Sequence, residues 1–231
     1  MTIFKLKQLA SNSVYAARDV IGWNYDRAEL IADGVVHVVG VLFGLIAATV
    51  LVVLTAIYAT PLEIVVVSVY VAGLLAMLSL SATYNLWPVS PTKWVLRRFD
   101  HSAIFVLIAA TYTPLIAEMK QSVFAIALLI GVWCTAIVGV VLKLFWPGRF
   151  DRLSVGLYLA MGWSGMMLYH TVVTALPRVA LCFILVGGAL YSFGVIFHAW
   201  RRLRFQNVIW HCFVLLGAAC HYTAVMDLVL T

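Results

Sequence analysis

Four short stretches of this sequence carry groups able to hold a metal, move a proton or orient a water molecule. Asp33 and His37 stand four residues apart, with Glu29 four residues earlier, and the same interval separates Ser81 from Asn85 and Asn207 from His211. Residues at i and i+4 lie one above the other on a helix, so each pair presents its groups on one face. Asp100 and His101 are adjacent, and His221 follows His211 by ten residues. Carboxylates and imidazoles grouped in this way suit general acid–base chemistry or metal ligation, with Ser and Asn as orienting partners.

The elements that must position these groups are membrane helices. Of the 231 residues, 65% are hydrophobic and 10% charged, where soluble domains are about half apolar and a quarter charged. A chain this size could not hide so much apolar surface from water, so its solvent is lipid. About 20 residues cross the hydrocarbon, and seven runs qualify: 31–58, 62–86, 99–117, 122–145, 153–173, 179–200 and 208–230. Pro61, Pro88, Pro91, the pair Pro147-Gly148 and Pro177 punctuate the breaks. The expected fold is all-α, a seven-helix membrane bundle (31–231) after a short basic segment (1–30).

Cations set the expected orientation. Thirteen of the fifteen Lys and Arg fall on one side: Lys5, Lys7, Arg18 and Arg27, then Lys93, Arg97 and Arg98, then Lys143, Arg149 and Arg152, then Arg201, Arg202 and Arg204. Lys120 and Arg178 alone fall on the other. The positive-inside rule makes the first side cytoplasmic, with the N-terminus there and the C-terminus outside. Six or eight crossings would break the alternation. Trp23, Trp87, Trp94, Trp146, Trp200 and Trp210 also gather near the basic side, as an interfacial belt does. The net charge of +6 is spread between apolar runs, which excludes a nucleic-acid-binding face. No apolar core precedes Ser11, so the start does not read as a signal peptide. Cys134, Cys182, Cys212 and Cys220 sit inside apolar runs without a CxxC pair and read as small apolar residues.

On this topology Asp33, His37, Ser81, Asn85, Asp100, His101, Asn207 and His211 lie within about two turns of one membrane face, and His221 roughly 15 Å deeper. Charged and amide groups inside lipid are costly. Four helices placing them at one depth imply a shared polar cavity. His101, His170 and His198 also fit ordinary interfacial residues that reach toward water. Gly187-Gly188, and Gly217 with Ala218-Ala219, fit close helix contacts.

From Glu29 onward the sequence resembles the hemolysin III branch of the PAQR (progestin and adiponectin receptor-like) family. The resemblance rests on Glu29-Leu30-Ile31-Ala32-Asp33-Gly34-Val35-Val36-His37, on Ser81-Ala82-Thr83-Tyr84-Asn85, on Phe99-Asp100-His101, on Ala110-Thr111-Tyr112-Thr113-Pro114, and on Asn207-Val208-Ile209-Trp210-His211 with His221 after it. It implies seven helices, a bacterial inner membrane and membrane lipids as partners. It also implies a zinc held by one His of the second segment and two of the seventh, beside an Asp of the third. Here those ligand positions read Asn85, Asn207 and His211, and Asp100 is the Asp.

A carboxamide is a far weaker zinc ligand than imidazole. The expectation is therefore no resident cofactor, with zinc retained only if Asp33, His37, Asp100 or Cys212 rebuild the site. The two amides would then hydrogen-bond His211 and Asp100 in a satisfied network. Three functions follow from the resemblance: a non-catalytic protein of membrane-lipid homeostasis or sensing; a zinc-dependent, ceramidase-like lipid amide hydrolase using Asp100 and Ser81; and a cytolytic protein. The orientation is testable directly. A phosphatase fused after Thr231 should be active in the periplasm, and a fluorescent protein fused there should stay dark; the opposite pattern refutes it.

Overall fold

The computed structural model describes residues 25–119 and 122–231; Lys5, Lys7, Arg18, Trp23 and Lys120 lie outside them. Among the described residues there are helices and no strands. In chain order they are α1 (Arg27–Tyr58), α2 (Pro61–Leu86), α3 (Pro91–Ala117), α4 (Val123–Phe145), α5 (Asp151–Trp163), a 3₁₀ turn (Ser164–Leu168), α6 (Tyr169–Ala175), α7 (Arg178–Ala199) and α8 (Gln206–Leu230). Six of these, all but α5 and α6, are long and apolar enough to cross a membrane. The expected fifth segment is present as α5, the 3₁₀ turn and α6 in succession.

Local sequence explains where the helices begin. Asp26 and Glu29 close a reciprocal capping box on α1, and Thr60 with Glu63 does the same on α2, with Pro61 in its first turn. Ser90 caps α3 ahead of Pro91, and Ser122 caps α4. The start of α3 lies two turns before the hydrophobic run that marks it in the sequence. Those turns carry Lys93, Arg97 and Arg98, which hydropathy assigns to a loop and which the cap at Ser90 winds into helix. Asp26 also meets Arg204 in the α7–α8 connection at 3.0 Å. The Glu29 backbone N–H, and then Arg204, hold the Asp26 carboxyl below the usual range. This contact is therefore present above that range and is lost as acid protonates Asp26.

Packing follows the logic of a lipid solvent. The buried stripe of α1 is Asp33, His37, Gly40, Gly44, Ala48, Leu51 and Thr55, polar or small at most positions. Its outer face carries Val35, Leu42, Phe43 and Ile46, all exposed. Large apolar side chains meet lipid, while small ones let backbones approach. A Cβ on Gly73 of α2 would lie 2.6 Å from the Ala110 Cβ of α3, and one on Gly187 of α7 would lie 2.5 Å from the His221 ring of α8. One apolar core joins α1, α2, α3 and α8 around Leu51, Tyr70 and Val225. A second joins α3, α4 and α5 around Phe105, Val132 and Met161.

The break in the fifth segment has its own support. Where a helix stops inside a bundle, its freed backbone groups need partners. The Tyr112 hydroxyl of α3 enters the gap, within 2.9 Å of the Met161 and Gly162 carbonyls, and accepts the Gly165 N–H at 2.8 Å. Ser164 adds its hydroxyl to the Met161 carbonyl at 2.7 Å. Tyr112→Phe removes the hydroxyl that bonds the end of α5 and the start of the 3₁₀ turn together. It should cost about 1–3 kcal/mol and lower the thermal midpoint in detergent. Gly73→Val, which forces α2 from α3, should cost a similar ~1–3 kcal/mol; unchanged midpoints would refute both.

Candidate functional site

The polar cluster is built by α1, α2 and α8. Asp33 and His37 stand one turn apart on the buried stripe of α1. Ser81 and Asn85 do so near the end of α2, and Asn207 and His211 at the start of α8. The Asp33 carboxylate is the centre: one oxygen accepts from His211 Nδ1 at 2.6 Å, the other from Asn207 Nδ2 at 3.0 Å. Asn207 Nδ2 also reaches the Asn85 carboxamide oxygen at 3.3 Å. Asn85 Nδ2 in turn donates to the Ser81 carbonyl at 2.9 Å and to His37 Nε2 at 3.3 Å.

These bonds fix the His37 tautomer. Its Nδ1 faces the Asp33 carbonyl oxygen at 2.8 Å, an atom that can only accept, so Nδ1 carries the proton. Nε2 then offers its lone pair to Asn85 and to the Ser81 hydroxyl, 3.3 Å away. The two imidazoles meet edge to face with centroids 4.3 Å apart. Asp33, His37 and His211 are all buried, and such groups need their full complement of partners.

Asp100 of α3 is buried and shares the cavity wall with Ser81, Arg97 and His211. The expected pairing of the amides with Asp100 is replaced: Asn207 donates to Asp33, while Asn85 bonds Asn207, Ser81 and His37. His101 lies 4.0 Å from the Asp100 carboxylate, and its carbonyl accepts the Tyr158 hydroxyl at 2.7 Å. His221 is not part of this cluster. It packs against Gly187 and the Tyr191 ring, with Nε2 3.4 Å from the Ile184 carbonyl. Cys212 is exposed and offers the cluster nothing; His170 is exposed as well.

Several residues escaped the sequence reading because cations served there only to orient the chain. Lys93 is buried and donates to the Asn85 carbonyl at 3.0 Å and the Trp87 carbonyl at 2.7 Å, capping the end of α2. Arg97 and Lys143 each hold one Asp151 oxygen at 2.6 Å. A spacing of eight between Asn85 and Lys93 leaves no recognisable mark. Beside the cluster opens a cavity of about 1050 Å³. Ser81, Asn85, Asp100, Asn207 and His211 line one end, and Leu115, Ile116, Met119 and Leu176 the other.

The model for haemolysin-III related proteins matches residues 28–222. The chain belongs to this family. It is 35% identical over 198 residues to the hemolysin-3 homolog of Bacillus subtilis (strain 168), covering 86% of this chain and 93% of that protein. Identity to hemolysin-3 of Bacillus cereus is 31% over 202 residues, covering 87% and 92%. A more distant relative is the human monocyte to macrophage differentiation factor, 28% identical over 164 residues, covering 68% and 67%. With six unbroken apolar helices and bacterial relatives of this kind, the protein is a multi-pass inner-membrane protein of the haemolysin III type.

Whether zinc suits this site is a question for its donors. Ligand atoms of Asp33, His37 and His211 lie within 4.8 Å of one another, and a carboxylate with two imidazoles is by type a catalytic zinc set. The set draws only His211 from the positions that the resemblance marks as ligands. Asp33 and His211 are hydrogen-bonded at 2.6 Å; two tetrahedral ligands of one zinc would stand roughly 3.3 Å apart. The residues therefore fit a metal by type, with Asp33 and His211 parting to take it.

Asp33→Ala should be the most damaging change in the cluster. It strands the His211 and Asn207 donors in a buried site and should cost about 3–5 kcal/mol, read as a lowered thermal midpoint. Asn207→Ala should cost about 1–3 kcal/mol. Equal effects would deny Asp33 its central place.

Proposed function

We propose that this protein is a non-hydrolytic haemolysin-III relative that takes membrane lipid into its cavity and acts in membrane-lipid homeostasis or sensing. Asn207 carries the reading. Its carboxamide is bonded to Asp33 on one side and Asn85 on the other, so two positions that the family resemblance assigns to zinc ligands are joined to each other and to a carboxylate. Buried polar groups satisfied in this way give rigidity without a metal. The apolar cavity beside them supports membrane lipids as the partner. The cytolytic reading rests on the relatives' names alone.

A second reading is favoured by the triad. Asp33, His37 and His211 would hold zinc, which when bound supplies a Lewis acid and a more acidic water for amide or ester hydrolysis. His37 is already set for this, with Nδ1 tied to the Asp33 carbonyl and Nε2 presented. Asp100 would accept a proton from water, and Ser81 would orient it.

Elemental analysis of protein purified without chelator separates the two. The wild type should carry little zinc, and Asn85→His with Asn207→His should acquire about one ion per chain. Zinc in the wild type that disappears in His37→Ala would overturn the first reading and establish the second.

A further inference from the structure

The cavity is chemically polarised from end to end. Its wall follows α3 from Arg97 to Met119, roughly 33 Å at 1.5 Å per residue, about the thickness of the hydrocarbon. At the far end the lining is Leu115, Ile116, Met119, Val172 and Leu176. At the near end it includes five cations, Arg97, Lys143, Arg149, Arg152 and Arg201, against the carboxylates Glu29, Asp100 and Asp151.

Two of those carboxylates are already engaged. Glu29 accepts the Asp26 and Phe205 N–H groups, at 2.9 and 2.8 Å. Asp151 is shared by Arg97 and Lys143, both buried. Asp151 and Asp100 together balance Arg97 and Lys143, so the surplus positive charge of the wall is that of Arg149, Arg152 and Arg201 against Glu29. His198, also in the lining, has a buried Nδ1 with no hydrogen-bond partner among the described residues. Arg149, Arg152 and Arg201 are exposed around this wall. Donors converge from α3, α4, α5, α7 and the α7–α8 connection. That arrangement suits a compact anion with several acceptor oxygens, which guanidinium groups hold by paired hydrogen bonds.

Resting on the lipid reading above, we propose that the near end of the cavity binds the phosphate head of an anionic phospholipid whose acyl chain lies along the apolar length. The head sits among Arg97, Lys143, Arg149 and Arg201, beside the Asp33–Asn207 cluster and separate from it.

Trp163 lines the cavity midway; since Trp94 and Trp210 also line it, the titrations use protein carrying Trp94→Phe and Trp210→Phe, in which Trp163 is the reporter within the cavity. Lysophosphatidylglycerol and lysophosphatidylcholine with the same brominated acyl chain are titrated into the full-length protein in neutral detergent, and tryptophan quenching is read. The anionic lipid should half-quench at roughly tenfold lower concentration, and Trp163→Phe should remove most of the quenching. Arg149→Gln with Arg201→Gln, both exposed, should leave the thermal midpoint unchanged and reduce the preference to within about twofold. Inorganic phosphate should not displace the anionic lipid.

Equal affinity for the two heads, or an undiminished preference in the double variant, overturns the headgroup site while the cavity reading stands. Displacement by inorganic phosphate overturns the lipid as its source. Quenching by neither lipid, or quenching indifferent to Trp163→Phe, removes the lipid cavity and the headgroup site together.

Discussion

A carboxylate buried among apolar helices must be surrounded by donors, and the Asp33 carboxylate organises this bundle for that reason. Its oxygens take His211 and Asn207 from α8, while its backbone carbonyl takes His37 from its own helix. Through Asn207 the chain of bonds passes to Asn85, and from Asn85 back to His37 and Ser81. In lipid no water waits to replace a lost partner, so each member constrains the rotamers of the others. The meeting of α1, α2 and α8 at one end is held by this closed set.

The same constraint acts on the backbone at the other side of the molecule. The fifth segment contains Gly162 and Gly165, and it breaks at Trp163–Leu168. Tyr112 makes the break tolerable by bonding to the carbonyls just before it and to an N–H within it. Gly162, Trp163, Gly165 and Met166 then form part of the cavity wall. An unbroken helix would present a regular ridge there. The interruption and the tyrosine that supports it thus help to shape the internal space.

Polarity inside the bundle is segregated by charge as well as by depth. The Asp33 cluster is an anion among neutral and imidazole donors. The neighbouring wall sets Arg97, Lys143, Arg149, Arg152 and Arg201 against Glu29, Asp100 and Asp151, an excess of positive charge. Both lie at the end of the bundle where α1 and α3 begin and α2 and α4 finish. Carboxamides at two positions that the resemblance marks for zinc ligands fit the first of these. Asn207 donates to a carboxylate while Asn85 accepts from Asn207, and a neutral imidazole has one donor to give where an amide has two.

How much of this the sequence determined depends on the range of the forces involved. Composition and run length fixed the helical membrane bundle, because the cost of exposing backbone to lipid depends on little else. The i, i+4 pairs on the first, second and last membrane segments were legible as faces. What the sequence could not decide was which carboxylate Asn207 would meet. Asp33 and Asp100 stand at similar depths, and the choice rests on how closely α1 and α3 approach α8. Nor could it show that Lys93 and Arg97 lie inside the fold, since the Ser90 cap turns what hydropathy reads as a charged loop into two turns of helix with these two on its buried face. Pairing between helices 48 to 178 residues apart is a property of packing angle and interhelical distance, and only the assembled bundle sets those.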